Sequence, residues 1–98
     1  MEIVKNRNEN ELRISVEGRL DTSTAPALEQ EINDNLEGVE SLILDFKGLE
    51  YISSAGLRVL LGSQKAMSKQ GSMKLCNVNA DVMEILEITR FSDILTIE

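Results

Sequence analysis

What most restricts the fold of this 98-residue chain is a change of hydrophobic period on either side of Ser53-Ser54. Upstream, Ser41-Leu42-Ile43-Leu44-Asp45-Phe46 reads as a buried strand, and Lys47-Gly48-Leu49-Glu50-Tyr51-Ile52 is expected to turn the chain toward the serine pair. Downstream, Leu57, Leu60, Leu61 and Met67 recur at helical spacing up to about Gln70, and Gly71 is expected to close that helix in the left-handed conformation. Ser54 therefore stands where a strand gives way to an amphipathic helix. Two readings of it are open. As an N-cap it contributes about 0.5–2 kcal/mol to the helix. As a phosphate carrier it gains roughly −1.5 to −2 charges, which meet free N–H groups and the positive end of the helix dipole.

The same strand-to-helix change occurs twice more. Leu12, Ile14 and Val16 alternate with Arg13, Ser15 and Glu17 as in a half-buried strand, and Ile3-Val4 supply a shorter edge strand joined to it by a hairpin through Asn6 to Asn10. Thr22, Ser23 and Thr24 then offer caps, Pro26 suits a first helical turn, Leu28, Ile32 and Leu36 form one apolar stripe, and Gly38 is the expected stop. Another strand spans Met73 to Val78. Asn79 or Asp81 caps a short helix with Val82, Ile85 and Leu86 inward, and Phe91-Ser92-Asp93 leads to a last strand over Ile94 to Ile97. The order ββαβαβαβ predicts an α/β fold. Strands joined through helices pair in parallel by right-handed crossovers, so the sheet is mixed, with one antiparallel edge and helices packed on it. Residues 1–98 make one domain without an internal boundary.

Composition narrows the chemistry. A net charge of −7, from 17 acidic and 10 basic residues, repels a phosphate backbone, and Lys65, Lys69 and Lys74 form no convincing basic cluster. Nucleic-acid binding is therefore not expected, and an acidic surface suits a partner with a basic patch. With no histidine and Cys76 alone, Ser-His, Cys-His and histidine-based zinc sites are excluded, and Cys76 reads as a small strand residue. No glycine spacing matches a phosphate-cradling loop, so no bound nucleotide or other cofactor is expected. Asp21 and Asp45, near strand ends, make at most a poor Mg²⁺ pair. Neither a basic, apolar leader nor an apolar run approaching ~20 residues is present, so a cytoplasmic chain without direct membrane insertion is expected, with monomer the default state.

Around Ser54, Arg58 lies one helical turn on and can pair with a phosphate. Gly56 and Gly62 each cost about 1 kcal/mol relative to alanine in a helix, which suggests a close neighbour at both. Asp21-Thr22-Ser23-Thr24 should share the sheet end with Ser54, because both segments come after a strand and open a helix.

Through Gly18-Arg19-Leu20-Asp21 with Ala25-Pro26, through Leu42-Ile43-Leu44-Asp45-Phe46, and above all through Tyr51-Ile52-Ser53-Ser54-Ala55-Gly56-Leu57 with Lys69-Gln70-Gly71, the chain resembles the anti-sigma factor antagonists, small bacterial members of the STAS domain family. The resemblance implies a mixed sheet with helices and a phosphoacceptor at Ser54, with Ser53 the less favoured acceptor. Partner contacts are expected at Asp21, Thr22, Ser23, Thr24, Ser53, Ser54, Gly56, Leu57 and Arg58. Ser53 stands where many phosphorylated members carry aspartate, and Arg58 where a glycine is common. The function implied is partner switching. The unphosphorylated protein binds an anti-sigma factor that is also a serine kinase, releasing the sigma factor; phosphorylation ends the binding, and a serine phosphatase resets it. The chain would be substrate and ligand, not enzyme. The competing reading is an unswitched STAS subunit docked permanently on a membrane transporter.

Overall fold

The computed structural model describes residues 1–98. Its strands and helices are β1 (Glu2–Asn8), β2 (Glu11–Leu20), α1 (Ala25–Asp34), β3 (Ser41–Ile52), α2 (Ser54–Met67), β4 (Ser72–Cys76), α3 (Ala80–Ile88) and β5 (Thr96–Ile97), with a single 3₁₀ turn at Phe91–Asp93 before the last strand. The expected mixed sheet is present: five strands in the order β1-β2-β3-β4-β5, antiparallel between β1 and β2 and parallel thereafter. Each βαβ step moves one strand along in the same direction. Right-handed crossovers then put all three helices on one face of the sheet.

Burial obeys that geometry. Leu12, Ile14 and Val16 of β2, Leu42, Leu44 and Phe46 of β3, and Met73 and Leu75 of β4 meet Leu28 and Ile32 of α1, Leu57, Leu60 and Met67 of α2, and Val82 and Leu86 of α3 in one aliphatic core. The opposite sheet face has no helix over it. Arg13, Ser15, Asp45, Lys74 and Cys76 lie there, and Ile43, flanked in register by Arg13 and Lys74, is shielded outside the main core.

On that open face Asp45 accepts from Arg13 Nη2 at 2.9 Å, from Asn77 Nδ2 at 2.9 Å and from the Lys47 N–H at 3.0 Å. Partial burial opposes its ionisation, but the bonds from Asn77, Lys47 and Arg13 outweigh that and hold the carboxyl below the usual range. A carboxylate with a depressed folded pKa stabilises the fold above its unfolded value, near 3.9, and the stabilisation is lost as pH falls through the folded pKa. Urea titrations are accordingly expected to show a loss of stability below about pH 4 that is shallower in Asp45→Asn, with the variant less stable at neutral pH. A variant with the parent's pH slope would refute this role.

Several local expectations change. The hairpin is tighter than Asn6 to Asn10, with Glu9 and Asn10 between the strands and Glu9 left-handed at φ 57°. Residues 47–52 do not turn the chain; they continue β3. Register shifts against β2 insert extra β3 residues between the Ser15/Asp45 and Glu17/Gly48 pairs and again before Arg19/Tyr51. After Phe46 these bulges move the inward positions to Leu49 and Ile52, a spacing that alternation does not reveal. Helix α1 ends at Asp34, ahead of Leu36 and of the left-handed turn at Gly38, φ 77°. Helix α2 ends at Met67 with Ser68 as its C-cap, and Gly71 is not left-handed. The last strand shortens to Thr96–Ile97.

Asn79 caps α3 as expected: its Oδ1 accepts from the Val82 N–H at 2.8 Å, while its Nδ2 donates to the Leu49 carbonyl at 2.7 Å. Asn79→Ala loses both bonds and is expected to destabilise the fold by about 1–2 kcal/mol, read from the urea midpoint at unchanged slope.

Candidate functional site at the carboxyl ends of β2 and β3

Strands β2 and β3 run in parallel and finish together, with Leu20 opposite Ile52. One residue further on, the Ser53 N–H donates to the Leu20 carbonyl at 2.9 Å and ties the two chain segments together as they leave the sheet. The two strand-to-helix connections therefore begin side by side, and the expected meeting of Asp21–Thr24 with Ser53-Ser54 at one sheet end is present.

The β2–α1 connection is a self-bonded turn. Asp21 Oδ1 accepts from the Ser23 N–H at 3.0 Å, Ser23 Oγ at 2.8 Å and the Thr24 N–H at 3.2 Å. These bonds, the Ser23 hydroxyl first, hold the Asp21 carboxyl below its usual range. Thr24 Oγ1 accepts from the Asp21 N–H at 2.9 Å and donates to the Arg19 carbonyl at 2.7 Å. Thr24 is the N-cap residue of α1, yet its side chain makes no cap bond to the helix. Asp21, Ser23 and Thr24 thus shape the turn, and Thr22 is left exposed beside it. Asp21 and Asp45 do not come together as a pair: Asp21 Oδ1 is taken up in its own turn, both oxygens of Asp45 are bonded on the open sheet face, and no group of three or more acidic or cysteine side chains gathers at either.

At the β3–α2 connection the capping expectation is corrected. Ser53, not Ser54, is the N-cap residue, at φ −100° and ψ 178°, and Ser54 is the first helical residue. Extra residues in the bulged strand carry β3 as far as Ile52, so the extended cap conformation falls on Ser53. Ser53 Oγ makes no cap bond and is shut off from solvent without a partner. Ser54 is exposed. Gly56 faces inward, and a Cβ on it would come within 2.8 Å of Ile52 Cγ1 and of Leu20 Cγ. The first turn of α2 is thereby seated directly on the ends of both strands, and Leu57 enters the core beside it. Gly62 has open space around it, so the close neighbour expected there is absent.

Arg58 is exposed and forms no ion pair. Between it and α1 lies a shallow groove of about 300 Å³ lined by Thr22, Ala25, Pro26, Glu29, Ala55, Arg58 and Val59. An exposed hydroxyl, an unpaired guanidinium and a groove with an apolar floor thus lie at one edge. This edge can bind a protein surface and can present a hydroxyl to a modifying enzyme.

A family model for the STAS domain matches residues 2–98. The chain belongs to the STAS domain family. It is 33% identical over 92 residues to the anti-sigma-B factor antagonist of Bacillus subtilis (strain 168), a match covering 93% of this chain and 84% of that protein. An anti-sigma factor antagonist from Mycobacterium paratuberculosis has a crystal structure similar to this one, with a TM-score of 0.88 at 22% identity, covering 98% of this chain and 83% of that one. The Bacillus cell fate determinant SpoIIAA in its phosphorylated form gives a TM-score of 0.76 at 16% identity, covering 99% and 91%. At these identities the two structures establish the STAS fold.

One feature of this STAS domain's edge escaped the sequence. The Arg19 guanidinium lies 4.4 Å from the centroid of the Tyr51 ring, and the two residues are partners in the β2–β3 register. They stand immediately before Leu20 and Ile52, so the stack borders the site. Only the bulged register reveals the pair, because a straight alternation places different residues opposite one another.

Proposed function

We propose that this STAS domain is an anti-sigma factor antagonist that works by partner switching. Unphosphorylated, it binds an anti-sigma factor that is also a serine kinase and frees the sigma factor; phosphorylation of Ser54 ends the binding. The observation that carries this reading is the exposed Ser54 hydroxyl at the first position of α2, beside an unpaired Arg58 and an open groove. Support also comes from the name of the Bacillus subtilis relative and from a structural neighbour solved in a phosphorylated form.

In the modification step Ser54 Oγ forms a bond to the γ-phosphorus of a nucleoside triphosphate held by the kinase, gives up its proton to a kinase base, and the nucleoside diphosphate leaves. The domain acts as substrate and ligand, not as enzyme, and a serine phosphatase returns it to the binding state. Thr22, Arg58 and the groove supply the contact surface. Asp21, Ser23 and Thr24 set the turn that borders it, and Gly56 and Leu57 act from beneath by seating the helix. No helix of the chain is long and apolar enough to cross a membrane.

The test uses the parent, Ser54→Ala and Ser54→Asp as baits in lysate of the native host, with retained proteins identified by mass spectrometry and position 54 of the recovered parent checked for phosphate. A kinase-like anti-sigma factor retained by the parent and Ser54→Ala, but not by Ser54→Asp, is the expected result. Equal retention of a transporter by all three would overturn switching in favour of permanent docking.

A further inference from the structure

The first turn of α2 holds an unused set of hydrogen-bond donors. Ser53 Oγ exposes less than 1 Å² and has no hydrogen-bond partner, although Ser53 occupies the N-cap position. The first bond of the helix runs from the Leu57 N–H to the Ser53 carbonyl at 2.9 Å, and the N–H groups of Ser54, Ala55 and Gly56 have no acceptor in the chain. A shielded hydroxyl left without a partner is unfavourable, and few native groups are left so. Free helical N–H groups alone would be an ordinary helix start. The orphaned hydroxyl next to Ser54 is the additional feature: as oriented it makes no hydrogen bond, so both its proton and its lone pairs are uncommitted.

We propose that Ser53 is a positioning residue for phosphoserine at position 54. Its hydroxyl turns about χ1 to accept from the N–H of Ala55 or Gly56, as an N-cap serine does, and donates its own proton in a hydrogen bond to an oxygen of the phosphoryl group. This deepens, and rests on, the reading of Ser54 as the phosphoacceptor. A hydroxyl can do both. Alanine offers neither bond, and a carboxylate at position 53 is an acceptor that repels the phosphate dianion. The modified state then carries an oriented phosphate held by its own helix, instead of a mobile group that finds its contacts only in a partner.

A donor bond to the dianion favours the second ionisation of the phosphate, whose ordinary midpoint is near pH 6. The experiment installs phosphoserine at position 54 during synthesis, so that no kinase is needed, and tracks the ³¹P resonance through that ionisation. In Ser53→Ala the midpoint is expected to rise by about half a pKa unit, a threefold change in the ionisation constant, and in Ser53→Thr to return to that of the parent. Ser53→Gly, tolerated at N-caps, gives the same comparison should the alanine variant fail to fold. The surrounding charged and titratable groups are Arg58 on α2, Asp21 in the β2–α1 turn, Glu29 on α1, and Arg19, Glu50 and Tyr51 at the strand ends. All are identical across the variants, so differences report position 53. An unchanged midpoint without the hydroxyl, or a threonine variant that behaves like alanine, overturns the proposal. Failure of the host to phosphorylate Ser54 would instead overturn the switching reading and leave this titration unaffected.

Discussion

Replacing Ser54 by aspartate is expected to weaken binding of the anti-sigma partner by more than 100-fold, while alanine at the same position changes it by less than about threefold. The asymmetry arises from the hydroxyl's role in the free domain. Ser54 is exposed at the first helical position and makes no side-chain hydrogen bond within the chain, so truncating it removes nothing that holds the fold. A carboxylate there adds a charge that a closely packed interface must strip of water and place against whatever the partner has built for a neutral hydroxyl. About 3 kcal/mol of such penalty already exceeds a 100-fold change.

Unfolding is a poor explanation for that loss, because an acid in the first turn of α2 is favoured by the helix dipole. Ser54→Asp should therefore melt at or above the parent temperature. Calorimetry with the purified partner, together with thermal melts, separates the two effects. Parent-like affinity for Ser54→Asp would refute a switch operated at this position by charge. A melting temperature well below the parent's would show that the substitution acts through the fold.

The sheet was legible because its period is simple. Leu12, Ile14 and Val16 alternate cleanly, and Leu42-Ile43-Leu44 is a continuous apolar run, so chain order and the crossover rule were enough for a mixed sheet and its pairing directions. Legibility ended where β3 bulges. Phe46, Leu49 and Ile52 are inward at intervals of three, a pattern that belongs to no regular strand, and the segment read as a turn. The same bulges shift the helix start by one residue, which is why Ser53 and not Ser54 holds the N-cap position. The juxtaposition at the candidate site was legible from local rules, since β2 and β3 each lead into helix-capping residues and parallel pairing of the two strands brings those ends together. The Arg19–Tyr51 stack and the bonds joining Asp45 to Arg13 and Asn77 were not, because each depends on register between segments far apart in sequence.

Glycine shows the same divide, and it leads to the largest expected effect on stability. Gly62 and Gly71 look alike in sequence, one inside and one just beyond the same helix. A Cβ at Gly62 meets nothing within 4 Å, whereas a Cβ at Gly71 would collide with the carbonyl of Glu40, whose carbon would stand only 2.6 Å away. That carbonyl cannot step aside freely, because it accepts the Ser72 N–H at 2.9 Å, and the Glu40 and Ser41 N–H groups are held by the Asn10 carbonyl at 2.8 and 3.2 Å. The start of β3 is thus pinned between the β1–β2 hairpin and the entry to β4, and Gly71 is glycine because two backbones pass in contact there. Gly71→Ala must move one of them. It is expected to cost about 3 kcal/mol or more, lowering the melting temperature by upwards of about 12 °C in a domain of this size. Gly62→Ala, exposed and inside a helix, is expected to gain about 1 kcal/mol and raise it by roughly 4–8 °C. Urea denaturation of the two variants beside the parent decides the matter: equal midpoints for Gly71→Ala and the parent would mean that the β3 and β4 entries are free to separate, and that the pinning by Asn10 does not hold Glu40 in place.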